Sequence, residues 1–165
     1  MVDRTMRYFG GKWPEEVIEQ TKIPIFALEA LTVILGALTW GHLLKGRRVI
    51  FRSDSSNTCF AFNRLTSRHP AMQMLAEIWV ECQHAFEFEA LVFFCPGKHN
   101  QWADIASRPQ DVPVEQALRQ ELDNVGLDDV DIVESETKWN ERGISAEVLE
   151  ELAELSEAQR TAAAI

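Results

Sequence analysis

Residues 47–63, RRVIFRSDSSNTCFAFN, hold the change of texture on which the fold turns. Arg48 to Ser53 sets Val49, Ile50 and Phe51 in succession, which reads as a buried strand, and the run ends at Asp54. Ser55, Ser56 and Asn57 then supply cap chemistry for a helix that reaches about Leu65. A strand that gives way to a helix through an acid and two serines is half of a crossover unit. The question is what flanks it.

Upstream, Leu28, Leu31, Leu35 and Leu38 recur at helical spacing, which predicts a helix from Phe26 to Leu44 that Gly46 stops. Downstream, Pro70 suits the first turn of a further helix carrying Met72, Leu75, Ile78 or Trp79, and Cys82. Phe88 to Cys95 (FEALVFFC) reads as a second buried strand, broken by Pro96 and Gly97. Asn100 can cap a short helix from Gln101 to Ser107 that Pro109 closes. Arg4 to Trp13 adds a short strand and a turn at Gly10 and Gly11. This alternation is the sign of an α/β layered domain with strands joined by helical crossovers.

Charge divides the chain in two. The 165 residues carry a formal charge of −10, yet residues 1–110 are net +1 and residues 111–165 net −11. The expected organisation is therefore a domain over residues 1–109 and an acidic, partly helical tail over residues 110–165. In the tail, Val114, Ala117, Leu118, Leu122 and Val125 mark one helix before Gly126, and a second begins at Ser145, where Ile144 and Leu149 are spaced as a hydrophobic staple. Leu127 to Glu136 reads as a loose acidic connection.

The whole-chain acidity argues against a polyanionic ligand, but the regional count reverses that for the first segment, where Lys45, Arg47, Arg48, Arg52, Arg64 and Arg68 form a small basic group. Cys59, Cys82 and Cys95 have neither paired nor zinc-type spacing, which argues against a disulfide scaffold and fits a reducing intracellular compartment. No secretory leader pattern is expected in Met1 to Lys12, and the apolar stretch Ile23 to Leu44 contains Pro24, Glu29 and His42. Its uncharged core, Ala30 to Trp40, is short of the roughly 20 residues a bilayer needs, so it reads as a core helix with no membrane partner.

Three acids sit where acids are costly. Glu29 interrupts an apolar helix, Asp54 ends a strand at the edge where α/β sites collect, and Asp104 lies on the short helix after the second strand. Brought to one sheet edge, such carboxylates need divalent cations or altered pKa values. Oxygen ligands without Cys or His favour Mg²⁺ or Mn²⁺, and paired ions of that kind serve phosphoryl transfer. Each acid also has a plainer reading: a first-turn residue favoured by the helix dipole, a helix cap and a solvated helix residue.

Three stretches carry a resemblance: IPIFALEALTVILGALTW, RRVIFRSDSSNTCFAFN and PGKHNQWADIASR. In the last, Asn100, Ala103, Asp104, Ser107 and Arg108 match an Asn-x-x-Ala-Asp-x-x-Ser-Arg pattern. Over residues 5–109 the chain resembles the ribonuclease H-like domain of retroelement (retrotransposon) reverse transcriptases. The resemblance implies a mixed sheet with flanking helices and Mg²⁺-dependent hydrolysis of the RNA strand in RNA/DNA hybrids. Glu29, Asp54 and Asp104 would be the metal-binding catalytic acids. Arg47, Arg52 and Asn100 are candidate nucleic-acid contacts, with the rest of a reverse transcriptase polyprotein as a further partner.

His99 invites comparison with the family's product-release histidine, but that residue lies several positions earlier, and a loop histidine is an equal reading. Trp40 and Trp102 read as packing residues rather than base-stacking platforms. The family's first acid stands on a central first strand some forty residues ahead of the helix Glu, whereas 28 residues precede Glu29 and the lone upstream Asp, Asp3, matches no strand. The first two strands are therefore expected to be missing, leaving a gap beside the Arg48–Ser53 strand and no nuclease activity. Two alternatives follow: an interaction module whose acidic tail binds a basic partner, and a nuclease completed by a segment of another chain.

Overall fold

The computed structural model describes residues 4–10, 13, 23–108, 111–136 and 144–164. Among these lie four strands and six α-helices: β1 Thr5–Tyr8, α1 Ile25–Leu44, β2 Arg48–Ser53, α2 Ser56–Arg64, α3 Pro70–Ala85, β3 Glu89–Phe94, α4 Gln101–Ser107, α5 Val114–Asn124, β4 Asp131–Glu134 and α6 Ala146–Ala163. A short 3-10 turn, Gly97–His99, precedes α4. The result is a mixed α/β chain with short parallel strands.

Contacts divide the chain differently from charge. One compact unit combines residues 1–12 with 97–137, and the other combines residues 13–96 with 138–165.

The larger unit is built on the parallel pair β2 and β3, in register from Arg48 opposite Glu89 to Ser53 opposite Phe94. A parallel pair needs a crossover, and α2 with α3 supply it. Ser55 is the N-cap of α2, its hydroxyl accepting from the Thr58 N–H at 3.4 Å, and Pro70 opens α3. Trp79 of α3 is wholly buried. Its indole stacks on Phe62 of α2 at 5.0 Å, meets Phe51 of β2 edge-on at 5.0 Å and packs against Phe88 at 5.9 Å. Both crossover helices, β2 and the residue that leads into β3 thus meet at one side chain.

α1 is long and apolar enough to cross a membrane by length and composition. In this structure it is a core helix, with Leu28, Leu31, Ile34 and Leu35 buried and α3 among its neighbours. At Gly41 α1 runs close against the turn after α3, because a Cβ there would overlap the Phe86 ring. Gly46, with φ of +70°, ends the connection to β2 as expected. The tail's last helix belongs to this unit: α6 lies on α3, burying Leu149 and Leu152, while Glu150, Glu151, Glu154 and Glu157 stay exposed. Ser145 caps it through the Val148 N–H, and Ile144 is buried with Leu149 as a staple requires.

In the smaller unit β1 pairs in parallel with β4, from Thr5 opposite Asp131 to Tyr8 opposite Glu134. Leu127 to Glu136 is therefore not a loose connection, a correction to the expectation from its acidity. The adjacent β-branched residues Ile132 and Val133 give it enough strand character to pair, and an Arg4–Asp129 ion pair stands at its entry. Gly11 and Pro109 of the expected turns lie outside the described residues.

Both strands of the larger unit were expected to be buried, and that also needs correction. Val92 and Ser53 are buried and Phe51 is half-buried against the helices, but Ile50, Leu91 and Phe93 are 64%, 46% and 51% exposed on the opposite face. The helices cover one face of the pair only.

Replacing Gly41 by Ala should gain up to about 1 kcal/mol of helix propensity and lose about 1–3 kcal/mol to overpacking against Phe86. A lower midpoint of urea unfolding is the expected net result, and a raised midpoint would show that the close approach is absent.

Candidate functional site

Asp54 sits immediately beyond the carboxyl end of β2, held by a strand-to-helix turn whose parts are fixed. The Ser55 N–H donates to Ser53 Oγ at 3.1 Å, and the Ser53 carbonyl accepts from the Cys95 N–H at 2.8 Å. The Asp54 side chain is left exposed. It is not the helix cap, since Ser55 occupies that position. Glu29 is half-buried on α1 in the same compact unit.

Asp104, His99 and Asn100 belong to the other unit. Asp104 is exposed on α4 and its carboxylate is ion-paired with Arg108 one turn on. Asn100 occupies the N-cap position of α4 without a side-chain capping bond, its carbonyl accepting from the Asp104 N–H at 3.0 Å. His99 is exposed in the preceding turn. Trp102 is 42% exposed and Trp40 half-buried. Among the described residues no three His, Cys, Asp or Glu side chains form a group able to hold a metal ion. The donors are of the right chemical kind for Mg²⁺, and the carboxylate of Asp104 is engaged by Arg108.

All three cysteines are buried free thiols. Burial pushes Cys82 up to about 11, with the Glu81 charge adding to it, and burial followed by the Asp54 charge raises Cys59.

What the larger unit does assemble is a pair of unlike sheet edges. In a parallel ladder alternate residues turn their N–H and C=O toward the neighbouring strand, and the rest turn away. The Glu89 N–H donates to the Arg47 carbonyl at 3.0 Å and Cys95 to Ser53, so Ala90 and Val92 face outward on β3, and Arg48, Ile50 and Arg52 face outward on β2. The β3 edge is covered at Ala90 and Val92. Asn63 of α2 donates through Nδ2 to the Val92 carbonyl at 2.7 Å and accepts the Val92 N–H on Oδ1 at 2.9 Å, as a backbone amide would. Gln83 Oε1 accepts the Ala90 N–H at 3.0 Å.

The β2 edge has no such cover among the described residues. Around it stand Arg47, Arg48 and Arg52, all exposed, with Arg48 joined to Glu89 of the neighbouring strand at 3.0 Å. Of the rest of the expected basic group, Lys45 pairs with Glu87 at 2.9 Å and Arg64 lies over the Phe60 ring at 4.6 Å. Asn63 and Gln83 were not anticipated as functional. Asn63 reads in sequence as an ordinary polar residue near a helix end, and only the path of β3 reveals its role.

Replacing Asn63 by Ala removes two hydrogen bonds of about 1 kcal/mol each and should lower stability by about 1–3 kcal/mol at an unchanged denaturant slope. An unchanged unfolding midpoint would mean that the β3 edge does not need its cover.

Comparison with protein-family models, with curated proteins and with solved structures finds no match for this chain.

Proposed function

We propose that this chain is a degenerate ribonuclease H-like domain of retroelement origin which does not hydrolyse RNA/DNA hybrids by itself. Four features support the relationship. They are the order of helix, strand, two helices, strand and helix, the parallel β2–β3 pair, the acid directly after β2, and the Asn100-to-Arg108 pattern on the short helix α4. The observation that carries the loss of activity is the outer edge of β2 beside Asp54, which has no neighbouring strand among the described residues and where Ile50 is 64% exposed. In the family a central strand bearing the first catalytic acid would occupy that edge. With no such strand there among the described residues, a second Mg²⁺ ion would have too few ligands and a metal-activated water would lack its support.

The exposed acidic face of α6 favours a second reading, an interaction module that docks on a basic partner. Since α6 packs on α3, this face is part of the folded unit rather than a free arm.

Incubation of the purified chain with a labelled RNA/DNA hybrid and Mg²⁺ or Mn²⁺ should give no cleavage above background, and Asp54→Asn should change nothing. Metal-dependent cleavage that Asp54→Asn abolishes would overturn the proposed loss of activity.

A further inference from the structure

We infer that the outer edge of β2 is a docking site for an extended peptide strand from a partner protein, one that carries acidic residues on either side of an apolar residue at alternate positions. The inference goes beyond the proposed ancestry and does not depend on it.

Edge asymmetry is the first ground. On β3, Asn63 and Gln83 occupy the Ala90 N–H and both outward groups of Val92, hydrogen bonds a neighbouring strand would otherwise make. The outward backbone groups of Arg48, Ile50 and Arg52 have no such partners among the described residues, and an open edge of this kind is a template for strand addition.

The second ground is the pattern of side chains along that edge. Arg48, Ile50 and Arg52 share the exposed face, continuous with Leu91 and Phe93 on β3, which are 46% and 51% exposed. A strand laid against β2 meets cation, apolar, cation at successive same-face positions. Its complement is acid, apolar, acid, with small apolar residues between them facing the helices. Arg52 has no ion-pair partner among the described residues, and Arg48 has only an exposed pairing with Glu89, which contributes little.

The same pattern disfavours a second copy of this chain. Two β2 edges paired antiparallel about Ile50 would set Arg48 of one opposite Arg52 of the other, and like charges directly opposite are destabilising. Basic residues on an edge thus deter self-pairing while they select an acidic partner.

The test uses the full chain and a fluorescent peptide, acetyl-Thr-Glu-Val-Ile-Val-Glu-Thr-amide, followed by anisotropy, beside a control with Lys in place of both Glu. Saturable binding of the Glu peptide below about 1 mM, weakened by salt and absent for the Lys peptide, is expected. Ile50→Pro removes the outward N–H without touching the β2–β3 ladder and should weaken binding about tenfold. Should that variant fail to fold, Arg48→Glu combined with Arg52→Glu keeps the test decisive, because it should invert the preference to the Lys peptide. Equal binding of the two peptides, or no saturation by either, overturns the inference. So does concentration-dependent dimerisation of the chain that Ile50→Pro abolishes, since the occupant would then be a second copy.

Discussion

A parallel pair of strands cannot be closed by a hairpin, and two strands alone bury too little to stand in water. Everything in the larger unit answers that constraint. The chain must leave the carboxyl end of β2, return to the amino end of β3, and bring enough apolar surface back to cover the pair. It does so through α2 and α3, with Trp79 gathering Phe62, Phe51 and Phe88 into one cluster. α1 and α6 then pack on α3, so that the crossover itself becomes the centre of the core.

One face and one edge of the pair remain outside this solution. The exposed face presents Ile50, Leu91 and Phe93, and the edge without cover among the described residues belongs to β2. That the β3 edge is capped at Val92 by a side-chain amide makes the contrast chemical rather than accidental: among the described residues the fold covers the middle of one edge and leaves the other without partners. Asp54 stands at the end of the open strand. An acid in that place is suited to metal chemistry only when further carboxylates join it, and among the described residues no such group is present. The open edge thus connects the proposed loss of catalysis with the inferred docking of a partner strand.

Much of the element order was legible in the sequence because local signals are strong where they occur. Ser55 before α2, Pro70 at the start of α3, Gly46 after α1 and Ser145 before α6 each end or begin an element through backbone chemistry that a sequence displays. Burial was less legible. Val49, Ile50 and Phe51 form a continuous apolar run, which a strand covered on both faces also shows, and nothing local reveals that the helices lie on one side. β4 is hidden in the sequence because four residues bounded by acids look like a solvated loop until a partner such as β1 is found. Of the candidate site, the position of Asp54 at the strand end was readable. The pairing of Asp104 with Arg108 and the sealing role of Asn63 depend on where side chains arrive.

Residue-resolved amide hydrogen exchange of the free protein tests the unlike edges most directly. Arg48, Ile50 and Arg52 should exchange near the rate of an unprotected peptide, while Ala90 and Val92 on the opposite edge, together with Val49 and Phe51 inside the ladder, should be slowed by orders of magnitude. Comparable protection of Ile50 and Val92 would contradict the open β2 edge and, with it, the reading of this strand as the place where a partner is received.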